Sequence, residues 1–325
     1  MTLVRRQFLR LIGAAVAAPA VSRLGVAQSY PTRPVRWIVG FPPGGVGDIL
    51  ARLIGQWLSE RLGQPFIIEN RPGAGGNIGT EAVVRSPADG YTLLLVNIAN
   101  AIGAALYQNL TFDLIRDIAA VAGIIRAPLV MEVNPSVPAR SVPEFIAYAK
   151  ANPDKIYMAS AGNGSAAHMG GELFKAMTGV SMVHVPFRGG APALTSLIAG
   201  QVQVMFDNLP TSIEQIRAGN LRALAVTTTM RSEALPDIPT VADFVPGYEA
   251  SAWYGVGVPK GTPYDIIDKL NKEINAGLAD PRVKTRLTEL GGMMLTGSSA
   301  DFGTFISDET QKWAKVVKFS GAKAD

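Results

Sequence analysis

Val39-Gly40-Phe41-Pro42-Pro43-Gly44-Gly45-Val46-Gly47-Asp48 joins a β-branched run, Val35–Val39, to a helical pattern that continues from Asp48 to about Leu62. In that pattern Ile49, Leu50, Leu53, Ile54, Trp57 and Leu58 keep the i, i+3/i+4 spacing of one buried stripe. Strand, glycine-rich turn and helix in this order are the unit of an α/β fold. The unit recurs along the chain. Phe66–Glu69 leads to a helix near Asn77, and Thr92–Val96 to one near Ile98. Leu129–Val133 is followed by Ser141-Val142-Pro143-Glu144, a capping-box pattern that opens a helix to about Ala151. Ile156–Ser160 precedes a helix over 165–178, and Met182–Val185 one over 190–199. Val204–Asp207, Arg222–Val226 and Trp253–Val258 read as further strands, and Pro263–Gly277, Pro281–Leu290 and Ala300–Val317 as closing helices. The alternation predicts parallel sheets in two α/β lobes, joined by extended crossings near 127–134 and 252–259.

Composition narrows the function. With 325 residues, 48% hydrophobic and 17% charged, the chain has the apolar content for a large core, which excludes a disordered protein. Its 34 Gly and 22 Pro exclude a coiled coil. There is no cysteine, and the histidines are His168 and His184 alone, so thiolate and histidine-rich metal sites are excluded. The formal charge of +4 comes entirely from Arg5, Arg6, Arg10 and Arg23, because residues 1–27 carry no acid. The remainder is neutral and has no basic run, so no nucleic-acid partner is expected. Arg5, Arg6 and Arg10 ahead of the apolar stretch Leu11–Ala20 read as an export signal of twin-arginine type, with cleavage near Ala27. The stretch is shorter than the ~20 residues of a membrane span, so a soluble, periplasmic mature chain is expected.

A second strand–turn–helix segment, Ala159-Ser160-Ala161-Gly162-Asn163-Gly164-Ser165-Ala166-Ala167-His168, matches the first in grammar. Glycines let backbone N–H groups approach a ligand, and a helix start adds unpaired donors and a partial positive pole. Either segment alone reads equally as a tight turn. Two of them, on separate lobes and facing one cleft, would suit a small organic acid. Enzyme motifs fail in detail. Val46 and Gly47 stand where a P-loop needs Lys and Ser/Thr. Gly73-Ala74-Gly75-Gly76-Asn77-Ile78-Gly79 is one residue too long for a dinucleotide fingerprint. Ser165 and His168 could suggest an acyl hydrolase, but Asn163 and Ala167 depart from a nucleophile elbow, and Ser165 reads better as an N-cap. His168 reads either as a polar contact to ligand or loop, or as a packed and satisfied histidine; His184 reads as structural. No catalytic residue, metal or cofactor is assigned.

The ordered set of motifs resembles the Bug family, the periplasmic solute receptors associated with tripartite tricarboxylate transporters. The resemblance is carried by Tyr30–Arg36, by Val39–Gly45 with Asp48, Ala51 and Arg52, and by Glu69–Gly79. It continues through Ser160–His168, His184–Ala193, Met205–Asn208, Leu221–Val226, Pro236–Thr240 and Trp253–Pro263, and so spans nearly all of residues 30–320.

The resemblance implies the two-lobed periplasmic-binding-protein fold, with lobe one formed by 28–127 and 257–325, lobe two by 128–256, and ligand in the cleft between them. It implies a monomer that takes a dicarboxylate, tricarboxylate, acidic amino acid or aromatic acid and hands it to integral membrane transporter subunits, or that serves a signalling partner instead. Carried over by position, Phe41, Gly44, Gly45, Val46 and Gly47 should line one wall. Ser160, Gly162, Asn163, Gly164, Ser165 and His168 should line the other, with Phe187, Arg188 and Asp207 in support. Asp48 should cap its helix or tie down the loop, or meet an amine if the ligand bears one. Family members often carry Ser or Thr where this chain has Gly47, so no particular ligand transfers.

Overall fold

The computed structural model describes residues 30–289 and 291–324, so the expected export signal and cleavage near Ala27 lie outside the described residues. The chain opens with strand β1 (Val35–Val39), helix α1 (Val46–Leu62), β2 (Phe66–Asn70), α2 (Asn77–Val84), β3 (Thr92–Asn97), α3 (Ile98–Leu106), α4 (Leu114–Asp117) and the long β4 (Ile118–Val133). It continues with α5 (Val142–Ala151), β5 (Tyr157–Ser160), α6 (Ala166–Thr178), β6 (Val183–Pro186), α7 (Gly190–Ile198), β7 (Val204–Asn208), α8 (Leu209–Arg217) and β8 (Arg222–Val226). It closes with β9 (Ser251–Pro259), α9 (Tyr264–Ala279), α10 (Pro281–Glu289), β10 (Met293–Met294) and α11 (Ser299–Ser320). None of the described helices is long and apolar enough to cross a membrane.

The strands lie in the order β2-β1-β3-β9-β4-β7-β5-β6, with β8 and β10 also paired to β4. β1, β2 and β3 are parallel, as are β5, β6 and β7, which fits the strand–helix alternation. The sheets are mixed, however, where only parallel pairing was expected. β9 runs antiparallel to β3, and β4 runs antiparallel to β7, β8 and β9. These two strands carry the chain between the sheets and back, and each enters a sheet whose βαβ strands already run the other way. β4 pairs with β9 from Ile118 to Pro128 and with β7 from Leu129 to Val133. β9 is held by β3 and the first part of β4 along its whole length, from Ser251 to Pro259. Residues 251–256, read from sequence as part of lobe two, therefore sit in the first sheet.

The C-terminal helix returns to this junction. α11 packs on α3, β4 and α6. Trp253, fully buried on β9, meets Phe302 and Phe305 edge-on at 6.1 and 5.3 Å between ring centroids. Its Nε1 donates to Glu309 Oε2 at 2.9 Å, and Trp313 Nε1 donates to the same oxygen at 2.9 Å. Glu309 is buried but doubly hydrogen-bonded, as an interior carboxyl must be.

Candidate functional site

A cavity of about 110 Å³ opens where the two sheets meet. It is smaller than the ~300–1,000 Å³ pockets of drug-sized ligands, so it fits a compact solute. Five helices begin at its wall: α1 through Gly45–Asp48, α3 through Asn97–Ala99, α6 through Ser165 and Ala166, α7 through Gly189–Pro192, and α8 through Asn208 and Thr211. Tyr254 of β9 completes the lining. A helix start leaves its first N–H groups without intrahelical partners. Asn97 caps α3 by accepting from Ala99 N at 2.9 Å, and Ser165 caps α6 by accepting from His168 N at 3.2 Å. No side chain caps α1, α7 or α8 among the described residues. Three uncapped positive poles thus share one small cavity.

Asp48 does not oppose them. It is buried, and it accepts from Gly44 N at 3.1 Å, from Arg52 Nε and Nη2 at 3.0 and 2.9 Å, and from Asn70 Nδ2 at 3.0 Å. Burial alone would raise its pKa, but the bonds from Arg52, Gly44 and Asn70 outweigh burial and hold the carboxyl below its ordinary value. The expected role in tying down the loop is what the geometry shows. It also changes the reading of Gly44, whose N–H is spent on Asp48. Gly44 is needed for its φ of +85°, and a Cβ there would meet nothing within 4 Å. At Gly47 a Cβ would lie 2.6 Å from Leu95 Cδ2 and 3.6 Å from Tyr254 Cε1, so a side chain there would require the Leu95 methyl to shift.

Of the residues read from sequence, Phe41, Gly44, Gly45, Val46, Gly47, Asp48, Ser165 and Arg188 line the cavity. Gly162, Asn163 and Phe187 line an adjoining groove of about 630 Å³, which Phe41 and Arg188 also border. Arg188 is exposed and has no acidic partner among the described residues. The two sides nearly meet: a Cβ on Gly189 would lie 3.7 Å from Pro42 Cγ, and one on Gly164 2.9 Å from Leu106 Cδ2.

Ser160, Gly164, His168 and Asp207 line neither space; they stand behind the wall. Ser160 Oγ accepts from Gly162 N at 3.1 Å and is bonded to His184 Nε2 at 2.6 Å. His168 Nδ1 accepts from Gly164 N at 3.1 Å. Ser165 N donates to Gly162 O at 3.1 Å. The loop therefore uses its own glycine donors to fix its shape. The rings of His168 and His184 stack at 3.9 Å. Burial, then His184, then Lys175 push the pKa of His168 down to about 3, so its ring is neutral. Ser165 meets the His168 backbone and not its imidazole, and the nucleophile–base bond of a hydrolase is not formed.

Sequence reading missed the starts of α3 and α8 as walls. Asn97 after the apolar strand Leu93–Val96 was a usable cap signal, as was Pro210 at the second position of α8 ahead of Ile213 and Ile216.

Residues 50–321 match the family model described as tripartite tricarboxylate transporter family receptor. The chain is 39% identical over 320 residues to protein BugT of Bordetella pertussis, covering 98% of each. A solved R. palustris protein with adipate matches with a TM-score of 0.87 at 40% identity, over 90% of this chain and 99% of that one. MatC from Rhodopseudomonas palustris with bound malate matches with a TM-score of 0.84 at 32% identity, over 89% and 100%. The periplasmic binding protein BugD matches with a TM-score of 0.85 at 34% identity, over 90% and 99%. The fold is thus the two-lobed one of periplasmic binding proteins, and the chain belongs to the tripartite tricarboxylate transporter receptor family.

Proposed function

We propose that this receptor binds a small organic carboxylate in the cavity between α1, α3, α6, α7 and α8, and presents it to membrane transporter subunits. The observation that carries the reading is the convergence of uncapped helix starts on a cavity whose one acid, Asp48, is already neutralised, beside an unpaired Arg188. Backbone N–H groups there offer an anion short donors in a low-dielectric setting. The relatives solved with adipate and malate support the ligand class. Phe41 and the loop 44–48 form one wall, and Ser165 and Arg188 the other, while Gly162, Asn163 and Phe187 border the entrance. Ser160, Gly164 and His168 hold the second loop in shape. We assign lobe two to 128–250 and lobe one to the rest of the mature chain, with β4 and β9 as the crossings; the pairing of β9 with β3 and β4 supports ending lobe two before Ser251 instead of at 256.

A thermal-shift screen against mono-, di- and tricarboxylates tests the ligand class. A cognate acid at 100 times its Kd should add ~2.7 kcal/mol to stability. Stabilisation by neutral or cationic solutes alone would overturn the reading. Residues 1–27 we assign as an export signal that delivers the chain to the periplasm. An exported protein that still carried Arg5 and Arg6 would end that assignment.

A further inference from the structure

Two fully buried acids stand behind the cavity, and among the described residues neither has a cationic partner. Glu132 on β4 and Asp207 on β7 are both bonded to one hydroxyl: Ser212 Oγ lies 2.8 Å from Glu132 Oε1 and 2.9 Å from Asp207 Oδ2. A hydroxyl has one proton to donate, so it cannot serve two carboxylates; one acid must itself donate to Ser212 Oγ. The remaining contacts fix which one. Asp207 Oδ1 accepts from Asn208 N at 2.8 Å, as a carboxylate would, whereas Glu132 Oε2 is buried without a partner. The chain of donors therefore runs from a protonated Glu132 through Ser212 to Asp207, where it meets the Asn208 N–H. Burial and then the neighbouring Asp207 raise the pKa of Glu132 well above its ordinary value. Burial raises Asp207 to about 7 against the bonds from Ser212 and Asn208.

The surroundings supply no counter-charge. From β9, Tyr254 faces Asp207, and its phenol is pushed up by burial and then by that carboxyl. On α6, Lys175 pairs with Glu172 at 2.8 Å, and the neutral His168 accepts from Gly164. On α8, Glu214 and Arg217 pair with each other at 3.2 Å. On β8, Arg222 donates to the carbonyls of Pro135, Val137 and Ala139. α7 has no charged residue. Asp207 is meanwhile close to the cavity. Asn208, which it holds, is a wall residue, and a Cβ on Gly190 of the same wall would lie 3.8 Å from Asp207 Oδ1.

We infer that the receptor takes up a proton together with its anionic ligand, at Asp207. The inference rests on the carboxylate reading of the cavity. An anion there would face the Asp207 carboxylate through one peptide group and little solvent. Like charge raises the proton affinity of Asp207, and by reciprocity the protonated receptor binds the anion more tightly. No covalent step is involved; the proton comes from solvent and ends on the Asp207 carboxyl.

Calorimetry near pH 7 with adipate and malate as probes, in phosphate and in Tris, reads the coupling. The heats should differ between buffers by about half a proton per anion bound, since Asp207 is about half ionised there, and affinity should weaken several-fold from about pH 6 to about pH 8. Asp207→Asn should bind with equal heats in both buffers. Glu132→Gln should keep the uptake, because its amide can donate to Ser212 in place of the acid proton. Buffer-independent heats for the natural protein, or an uptake that survives Asp207→Asn, overturn the inference while the carboxylate reading stands. A ligand-free measurement decides the matter if neither probe binds. Asp207 is protonated in the folded state and ionised in the unfolded chain between about pH 4 and pH 7, so stability should fall as pH rises through that window, relative to Asp207→Asn. Parallel profiles would overturn the proton site whatever the ligand.

Discussion

Arg188→Glu is expected to weaken carboxylate binding by at least ~30-fold while leaving the unfolding midpoint almost unmoved. The exposed guanidinium borders both the cavity and the groove and makes no ion pair or hydrogen bond among the described residues, so folding loses no contact. Surface changes of this kind shift stability by about 0.5 kcal/mol or less. Binding is different. A bound anion would cover the guanidinium, and removing one member of such a covered charge pair costs about 2–5 kcal/mol. At ~1.4 kcal/mol per tenfold this is roughly 1.4–3.6 decades, with repulsion from the reversed charge in addition. Arg188→Lys should fall between, because an ammonium cannot offer the planar fork that fits a carboxylate. Calorimetry with the acid found in the screen measures the loss. An affinity within threefold of the natural protein would show that Arg188 takes no part in holding the anion.

Trp253→Ala should remove about 3–5 kcal/mol of stability, a large share of the ~5–15 kcal/mol typical of a folded protein. The indole is fully buried between β9 and α11, against two phenylalanine rings, and it supplies one of the two donors to Glu309. Truncation leaves a large void and takes one of the two indole donors from Glu309, which keeps Trp313 and, at 3.5 Å, Lys312. Phe302 also packs directly on the Gly255 backbone, where a Cβ would lie 2.2 Å from its Cζ and 2.6 Å from Ala122 O. Urea unfolding followed by circular dichroism gives the value. A loss below about 1 kcal/mol would mean that α11 does not secure the junction.

Local grammar was legible where it was strong. β1 and β8 fall where their β-branched and apolar runs placed them, and α1, α6 and α7 begin within two residues of the expected positions because glycine turns mark their starts. The first half of β4 escaped notice. Ile118–Pro128 is largely buried and interleaves Ile118, Val121, Ile124 and Ile125 with alanines and a glycine, so it shows no alternation and no continuous β-branched run. The direction of β4 and β9 was equally hidden, because a strand's polarity in its sheet depends on partners far along the chain. At the site, the glycine loops marked where two helix starts could meet a ligand, and the family resemblance named Phe41, Val46 and Ser165 on them. They could not show that Gly44, Gly162 and Gly164 spend their N–H groups on Asp48, Ser160 and His168. That depends on side-chain direction, which spacing does not encode. The bridging of Glu132 and Asp207 by Ser212 was beyond reach for the same reason, since the two acids become neighbours only when β4 and β7 pair.

The place of β9 between β3 and β4 also bears on how the chain is made. A ribosome finishes β3 and β4 long before it reaches the strand that belongs between them: Leu94 waits for Gly257. At ~5–20 residues per second that interval is on the order of ten seconds or more, during which two apolar strands present unpaired edges. The nascent chain cannot close its central sheet during most of its synthesis, and any fragment ending before Ser251 keeps the gap permanently. Newly made protein is thus most exposed to aggregation while still incomplete, through the edges of β3 and β4.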